Sequence, residues 1–277
     1  MAGVTDQAAR YDRIAAGYAR WWAPVIAPAA LTVLDEVEDA IGAGARELLD
    51  VGTGTGTLSI AAIRRWPQVR VTAIDVSAGM VEATKAEADR LLDAGQRRRL
   101  EVVVAPAHDL PLADTSVDVA ISSFVLQLVP SRPAALREIR RVLRPGGTFA
   151  WITWLSRDGE PWLPDDDFDD ALEAVGEEPR GWDPPRDDVA DPPAAARQMR
   201  AAGFSGVRAS AGDLVHGFTA DEYVAFMSEF DEEDLVSSLE PEVRRAFETE
   251  LRRRLASRTA DQLALRHRTV TVRGGRR

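Results

Sequence analysis

The stretch "ELLDVGTGTGTLSIAAIRRWP", residues 47–67, constrains the fold more than any other part of the chain. A short, largely apolar run is followed by glycines at positions 52, 54 and 56, then by a helical pattern that Pro67 stops. Glycine reaches positive φ without a Cβ clash, so this run predicts a tight strand-to-helix turn whose backbone can approach a ligand closely. The same alternation recurs downstream. "VRVTAIDV", "LEVVVAP", "VDVAISSF" and "TFAWITWL" read as strands rich in β-branched residues. Helices are expected over 57–66, over 78–92 with Ser77 as cap, and over 131–143 up to "RPGG". "GVRASAG" and "RHRTVTVRG" supply a sixth and a last strand. Strands alternating with helices at this spacing predict an α/β fold. The expectation is a Rossmann-like, doubly wound, mostly parallel seven-stranded sheet with helices on both faces and a helical cap.

The ends of the chain read as helical. Helices are expected over 5–22 and 24–41, broken by Pro24, near 169–175, and over 194–202, 220–230 and 241–258. No internal repeat and no hard boundary is visible. The chain 1–277 is therefore expected to form one domain. Its parts are N-terminal helices at 1–45, a core at 46–155, and an acidic loop, cap helices and two strands at 156–277.

Charge and rare residues exclude several classes. The 14 acids and 3 bases between Arg157 and Asp191 leave a net of −11, which equals the net of the whole chain. That segment is expected to be a solvated loop or a flap. An acidic chain repels phosphate backbones, so nucleic acid is not an expected partner. There is no cysteine, hence no disulfide and no thiolate chemistry. His108, His216 and His267 lie far apart in sequence, so no metal site is expected. The start "MAGVTDQAAR" lacks the pattern of a signal peptide, and no apolar run reaches the roughly 20 residues of a membrane span. A cytoplasmic protein is expected.

The glycine spacing narrows the ligand. A dinucleotide fingerprint, G-x-G-x-x-G, would need glycine at 57, where the chain has threonine. A phosphate loop would need G-K-[ST], which is missing. What remains is a close backbone curve behind an acid, Asp50, an arrangement that suits a ligand with a positive amine. Asp75 ends the second strand, where a carboxylate can accept hydrogen bonds from both hydroxyls of a ribose. Taken singly, the glycines could form a plain turn and Asp75 could cap a helix.

Taken together, the motifs resemble those of the class I S-adenosylmethionine-dependent methyltransferases, and most closely the ubiquinone/menaquinone-biosynthesis-type branch. "YDRIAAGYARWW" resembles that branch's N-terminal covering segment, "LLDVGTGTGTLS" its first motif and "VTAIDVSAGMVEAT" its second-strand motif. "LPLADTSVDVAISSFVLQLV" and "ALREIRRVLRPGGTF" resemble its fourth- and fifth-strand motifs. The likeness spans roughly residues 10–155 and, more weakly, the C-terminal part. It implies S-adenosylmethionine as cofactor, S-adenosylhomocysteine as product, and methyl transfer to a small-molecule acceptor at an oxygen, nitrogen or carbon atom. Gly52, Thr53, Gly54 and Gly56 would pass the methionine and ribose parts. Asp50 would orient the amino group and Asp75 grip the ribose. Val76 and Met80 would pack on adenine, with Ala107 and His108 at its edge. Ser123 and Phe124 would meet the methionine end, and Tyr11 and Tyr18 would close the site. One departure stands out: "APAHDLP" places Pro106 where relatives often carry an acid, so adenine must be read by backbone, by His108 or by Asp109.

Methyl transfer from an activated donor can rest largely on positioning, so no catalytic triad is expected. His216 is the candidate base nearest the expected pocket, and no catalytic residue is assigned. Trp151, Trp154, Trp162 and Trp182 fall within 32 residues in and after the fifth strand; they read as walls for a flat or lipophilic acceptor, or, for Trp151 and Trp154, as sheet core. "ADEYVAFMSEF" reads as a lid or as a packed cap. The competing functions are a module that binds the cofactor without transfer, a nicotinamide-dependent oxidoreductase, and a nucleic-acid methyltransferase, the last opposed by charge and by "SSFV" after strand four.

Overall fold

A computed structural model of the chain describes residues 2–156, 162–180 and 189–277, with residues 2–6 described by their backbone alone. Trp182 and two stretches of the acidic segment, 157–161 and 181–188, lie outside the described residues.

Seven strands form one sheet in the order β3-β2-β1-β4-β5-β7-β6. They are β1 (Glu47–Val51), β2 (Arg70–Asp75), β3 (Leu100–Val104), β4 (Val117–Ser123), β5 (Leu143–Trp154), β6 (Ser205–Gly217) and β7 (Ala264–Gly275). β1 pairs in parallel with β2 and β4, β2 with β3, and β4 with β5, whereas β7 runs antiparallel to β5. The mostly parallel, doubly wound sheet expected from the sequence is present. In β1 every residue after Glu47 is buried, as a central parallel strand covered on both faces requires. Leu49, Val51, Ile74, Ala120, Phe149 and Trp151 join one apolar cluster through the centre of the sheet. Successive crossovers leave β1 to one side and reach β4 on the other. That reversal opens a crevice at the carboxyl ends of these strands, the place where open α/β sheets bind ligands.

Local differences from the expected elements have physical reasons. The N-terminal helix Ala2–Gly17 does not break at Pro24. It runs into a π turn, Tyr18–Trp22, and on into Ala23–Asp35. The Ala23 N–H bonds to Tyr18 O, and Pro24 falls in the first turn of the following helix, where its missing N–H costs little. That helix stops at Asp35, and a separate short one spans Glu38–Gly42. "RPGG" does end the helix Arg132–Val142, but it is itself drawn into β5, with Gly146 at φ 82° and a register shift opposite Val117 and Val119. Ser77 and Ser131 cap their helices as expected, accepting from the N–H groups of Met80 and Ala134.

The chain folds into two compact units. One comprises Met1–Ser156, Arg186–Asp213 and Arg268–Arg277; the other comprises Arg157–Pro185 and Leu214–His267. The second unit has its own helical core. Phe168 and Phe247 meet edge to face at 5.0 Å, and Arg258 makes a two-pronged ion pair with the buried Asp167 at 2.8 Å. Tyr223, Phe226 and Met227 are buried within it, and the helix Ala220–Phe226 relaxes into a π turn at Met227–Asp231. Trp162 belongs here too, against Phe218 and Tyr223.

In the first unit, the helix Thr57–Arg65 follows the glycine turn, and its far end is tied down by one side chain. The Arg99 guanidinium donates to Ile63 O and Val69 O at 2.8 Å and to Trp66 O at 3.0 Å. A cation on the last carbonyls satisfies orphan acceptors and complements the helix dipole. Arg99→Ala is therefore expected to cost about 1–3 kcal/mol in chemical denaturation, with Arg99→Lys intermediate. An unchanged denaturation midpoint would contradict this role.

Candidate functional site

The site starts from the turn after β1. Gly52, Gly54 and Gly56 have φ of 74°, 56° and 88°, a region that side chains enter only with strain. A Cβ on Gly52 would stand 2.2 Å from Val125 Cγ2, so glycine is required there by space as well as by φ. The N–H groups of Gly52 and Thr53 both donate to Ile74 O at 2.8 Å, and Gly54 N donates to Asp75 Oδ2 at 2.9 Å. Ser77 N donates to the other Asp75 oxygen at 3.0 Å, and Thr84 Oγ1 donates to Gly54 O at 2.6 Å. The glycine turn is thus held to the tip of β2 and to the helix Ala78–Leu91.

A cleft opens over this turn, enclosing about 960 Å³ of space, part of it open to solvent. Tyr11, Tyr18, Gly52, Thr53, Gly54, Asp75, Val76, Met80, Ala107, His108, Ser123 and Phe124 all line it. Two sequence candidates do not. Asp50 is buried behind the turn, where its Oδ2 accepts from Ser59 Oγ at 2.6 Å and Thr53 Oγ1 at 3.0 Å. Burial pushes this carboxyl up to about 6, against the two hydroxyl bonds that favour the charged form. Gly56 ends the turn under the helix, where a Cβ would meet Ile60 Cδ1 at 3.0 Å and Thr84 Cγ2 at 3.1 Å. Pro106 lines the cleft beside Ala107 and His108, whereas Asp109 is not among the lining residues and donates its N–H to Pro106 O.

The N-terminal helix contributes more than its tyrosines. Gln7 lines the cleft, and its buried Oε1 has no hydrogen-bond partner among the described residues. Gln7, Tyr11 and Tyr18 are spaced by four and seven residues, the helical period that puts them on one face, so this signal was available in the sequence. Ile26, Ala30, Val125 and Leu128 also line the cleft and carry no such signal. Asp12, next to Tyr11, holds the helix in place. Its Oδ1 accepts from Ser77 Oγ at 2.6 Å and Gly79 N at 2.8 Å, bonds that keep the carboxyl below its ordinary range. Gly79 permits the approach: a Cβ there would lie 3.0 Å from Asp12 Cα.

At the β4 end, Phe124 is a non-glycine residue at φ 55°, a conformation that costs on the order of 1–3 kcal/mol. Its N–H reaches Ile152 O at 2.9 Å, and its ring stacks on Trp154 at 4.0 Å. Tyr11 and Tyr18 meet edge to face at 6.1 Å, and burial raises the Tyr18 phenol above its usual value. Of the four clustered tryptophans, Trp151 is wholly buried in the sheet core and Trp154 is partly exposed. His216 belongs to the second unit, where its ring meets Phe218 at 4.5 Å, and it is not among the lining residues.

Two outcomes follow from this geometry. Asp12→Ala should free the N-terminal helix and expose Arg10 and Arg13 to limited trypsin digestion at conditions that spare the wild type; equal resistance would refute the anchoring role. Asp50 has a folded-state pKa near 6 against an ordinary 3.8, so the folded state binds the proton first. Its contribution to stability therefore falls as pH rises from about 4 to about 6, and is most favourable below that window. Asp50→Asn removes the titrating group, so the variant's stability should lack that fall between about pH 4 and about 6, which then appears in the difference between wild type and variant. An unaltered slope would show that the carboxyl titrates normally.

Comparison with known proteins agrees with the geometry. Residues 49–151 match the methyltransferase domain family. The chain is 37% identical over 117 residues to the malonyl-(acyl-carrier protein) O-methyltransferase of Xylella fastidiosa, covering 42% of this chain and 37% of that protein. It is 41% identical over 101 residues to the ubiquinone/menaquinone biosynthesis C-methyltransferase UbiE of Geotalea daltonii, covering 36% and 42%. The chain thus spans less than half the length of these curated relatives. Among solved structures, the cyclase SpnF shares the fold with a TM-score of 0.54 at 22% identity, covering 90% of this chain and 82% of that one. Residues 49–151 thus match a methyltransferase domain, and this part of the chain is similar to O- and C-methyltransferases, UbiE among them.

Proposed function

We propose that the cleft binds S-adenosylmethionine and that the chain transfers its methyl group to a small-molecule acceptor. The observation that carries this reading is the placing of Asp75. Its carboxylate lines the cleft at the tip of β2 and accepts one N–H from the glycine turn and one from Ser77, which leaves lone pairs for further donors. Two neighbouring ribose hydroxyls match that demand. The cofactor would supply a sulfonium-bound methyl group already activated for displacement.

Each residue has a definable part in this reading. The bare backbone at Gly52 and Gly54 admits close approach of a ligand. The Gln7 Oε1 accepts from a ligand N–H or O–H. Val76 and Met80 offer apolar contact for a base, while backbone at Ala105–Ala107 and His108 stand at its edge. Tyr11 and Tyr18 roof the cleft and exclude water. Asp50 acts through the turn, by holding Thr53 and Ser59, rather than by meeting the ligand.

The acceptor is less closely drawn. The two relatives are named for O- and C-methyl transfer, so kinship leaves the atom open. Nucleic acid does not suit a chain of net charge −11. Among the described residues no helix is long and apolar enough to cross a membrane, and a cytoplasmic location is part of the proposal. A shared fold does not by itself imply transfer, since a fold neighbour is named as a cyclase.

Calorimetry tests the reading. S-adenosylhomocysteine should bind and NAD should not. Asp75→Ala should weaken S-adenosylhomocysteine roughly 10- to 100-fold, the worth of one or two hydrogen bonds to a charged acceptor. Binding of NAD in its place would overturn the cofactor assignment, and unchanged affinity in Asp75→Ala would overturn the ribose contact.

A further inference from the structure

A second cavity adjoins the cleft and shares Tyr11, Tyr18, Phe124 and Leu128 with it. Trp22, Trp154 and Gln127 also line it, and it encloses about 650 Å³ of space, part of it open to solvent. Its walls are aromatic. Phe124 and Trp154 stack at 4.0 Å with 28° between their planes, and Trp22 lies 6.3 Å from Trp154. Phe124 stands between the two spaces and is held there in the strained left-handed region. A bulky side chain at positive φ persists only where its surroundings fix it, and such strain clusters at ligand sites.

The polar groups of the described lining are uncharged, and the amide among them is oriented. Gln127 is 8% exposed, and its Oε1 accepts from Thr153 Oγ1 at 2.8 Å, Thr153 being fully buried in β5. The hydroxyl fixes the amide so that the carbonyl end is used and the NH₂ end remains to donate. Among the described lining residues there is no aspartate, glutamate, lysine or arginine. An ionised ligand would lose its hydration with no opposite charge among the described lining residues to meet it. A planar uncharged ring would instead extend the aromatic stack, a contact that favours flat ligands beyond the area they bury.

We propose that this second cavity is the acceptor subsite, and that it selects a planar, uncharged ring carrying an oxygen that accepts a hydrogen bond from the Gln127 amide. This rests on the methyltransferase reading of the adjoining cleft. Phe124 and Trp154 supply the stacking wall, and Gln127 is a specificity-determining residue oriented by Thr153.

The test uses three uncharged probes in place of the acceptor: 1-indanone, which is flat with a carbonyl; indane, which lacks the oxygen; and cyclohexanone, which lacks the flat ring. Each is titrated into the full chain with S-adenosylhomocysteine present, and tryptophan fluorescence is followed because Trp22 and Trp154 wall the cavity. 1-Indanone should bind roughly 3- to 10-fold more tightly than indane, as one neutral hydrogen bond gives, and more tightly than cyclohexanone. Gln127→Leu should bring 1-indanone down to indane while leaving indane unchanged. Trp154→Ala should weaken both flat probes. A cyclohexanone affinity equal to that of 1-indanone, or a carbonyl preference that survives Gln127→Leu, would overturn the proposal. Calorimetry with S-adenosylhomocysteine on the same samples separates two failures. If it binds while the probes behave otherwise, the subsite assignment alone is wrong; if it does not bind to the wild type, the reading of the cleft is wrong.

Discussion

The hydrogen bond from Gly54 N to Asp75 Oδ2, at 2.9 Å, is the contact on which the rest of the site depends. It joins the turn after β1 to the tip of β2, so two adjacent parallel strands deliver a positive-φ backbone and a carboxylate to the same point. Ile74 O reinforces the joint by accepting from two successive turn amides. A side chain at position 52 would collide with Val125, so the joint forms only with glycine there. Everything else arranges itself around this fixed pair. Arg99 secures the far end of the helix that leaves the turn, and Thr84 holds the turn from the next helix. Asp50 braces it from beneath at the cost of a buried carboxyl.

The same start of the helix Ala78–Leu91 also receives the N-terminal segment. Ser77 caps the helix and donates its hydroxyl proton to Asp12, while Gly79 gives Asp12 both an N–H and room. The proposed ribose carboxylate, the helix cap and the anchor of the N-terminal helix therefore lie within the short run from Asp75 to Gly79. Loosening the roof acts on the first residues after the proposed ribose contact, so covering the cleft and shaping it are mechanically connected. On the other side of the cleft, strained backbone at Phe124 puts its ring between the two cavities.

Much of this was legible because parallel strands and glycine turns leave local signals. Buried strands read as β-branched runs, and the glycine spacing with Asp75 one strand later pointed to the cleft that the fold builds. Asp50 was harder to place. An acid two residues before a ligand loop reads as a ligand contact, yet strand alternation turns its side chain away and two hydroxyls, Thr53 and Ser59, receive it. Pro24 read as a helix break because the sequence cannot reveal a π turn that leads into it. Gln7 and Asp12 were accessible in principle through their places beside Tyr11 on one helix. Gln127, Val125 and Leu128 were not, since their role depends on a chain reversal after β4 that begins at a left-handed phenylalanine. No propensity announces such a residue; it is imposed by its packing on Trp154.

The most direct test of the central claim, that Asp75 and the glycine turn form one ribose-binding unit, is a crystal structure with S-adenosylhomocysteine. Both ribose hydroxyls should lie within hydrogen-bond reach of the Asp75 carboxylate, about 2.5–3.0 Å, with the Gly54 N–H bond to the same carboxylate retained. A ribose bound away from Asp75, or an Asp75 released from Gly54 on binding, would contradict it.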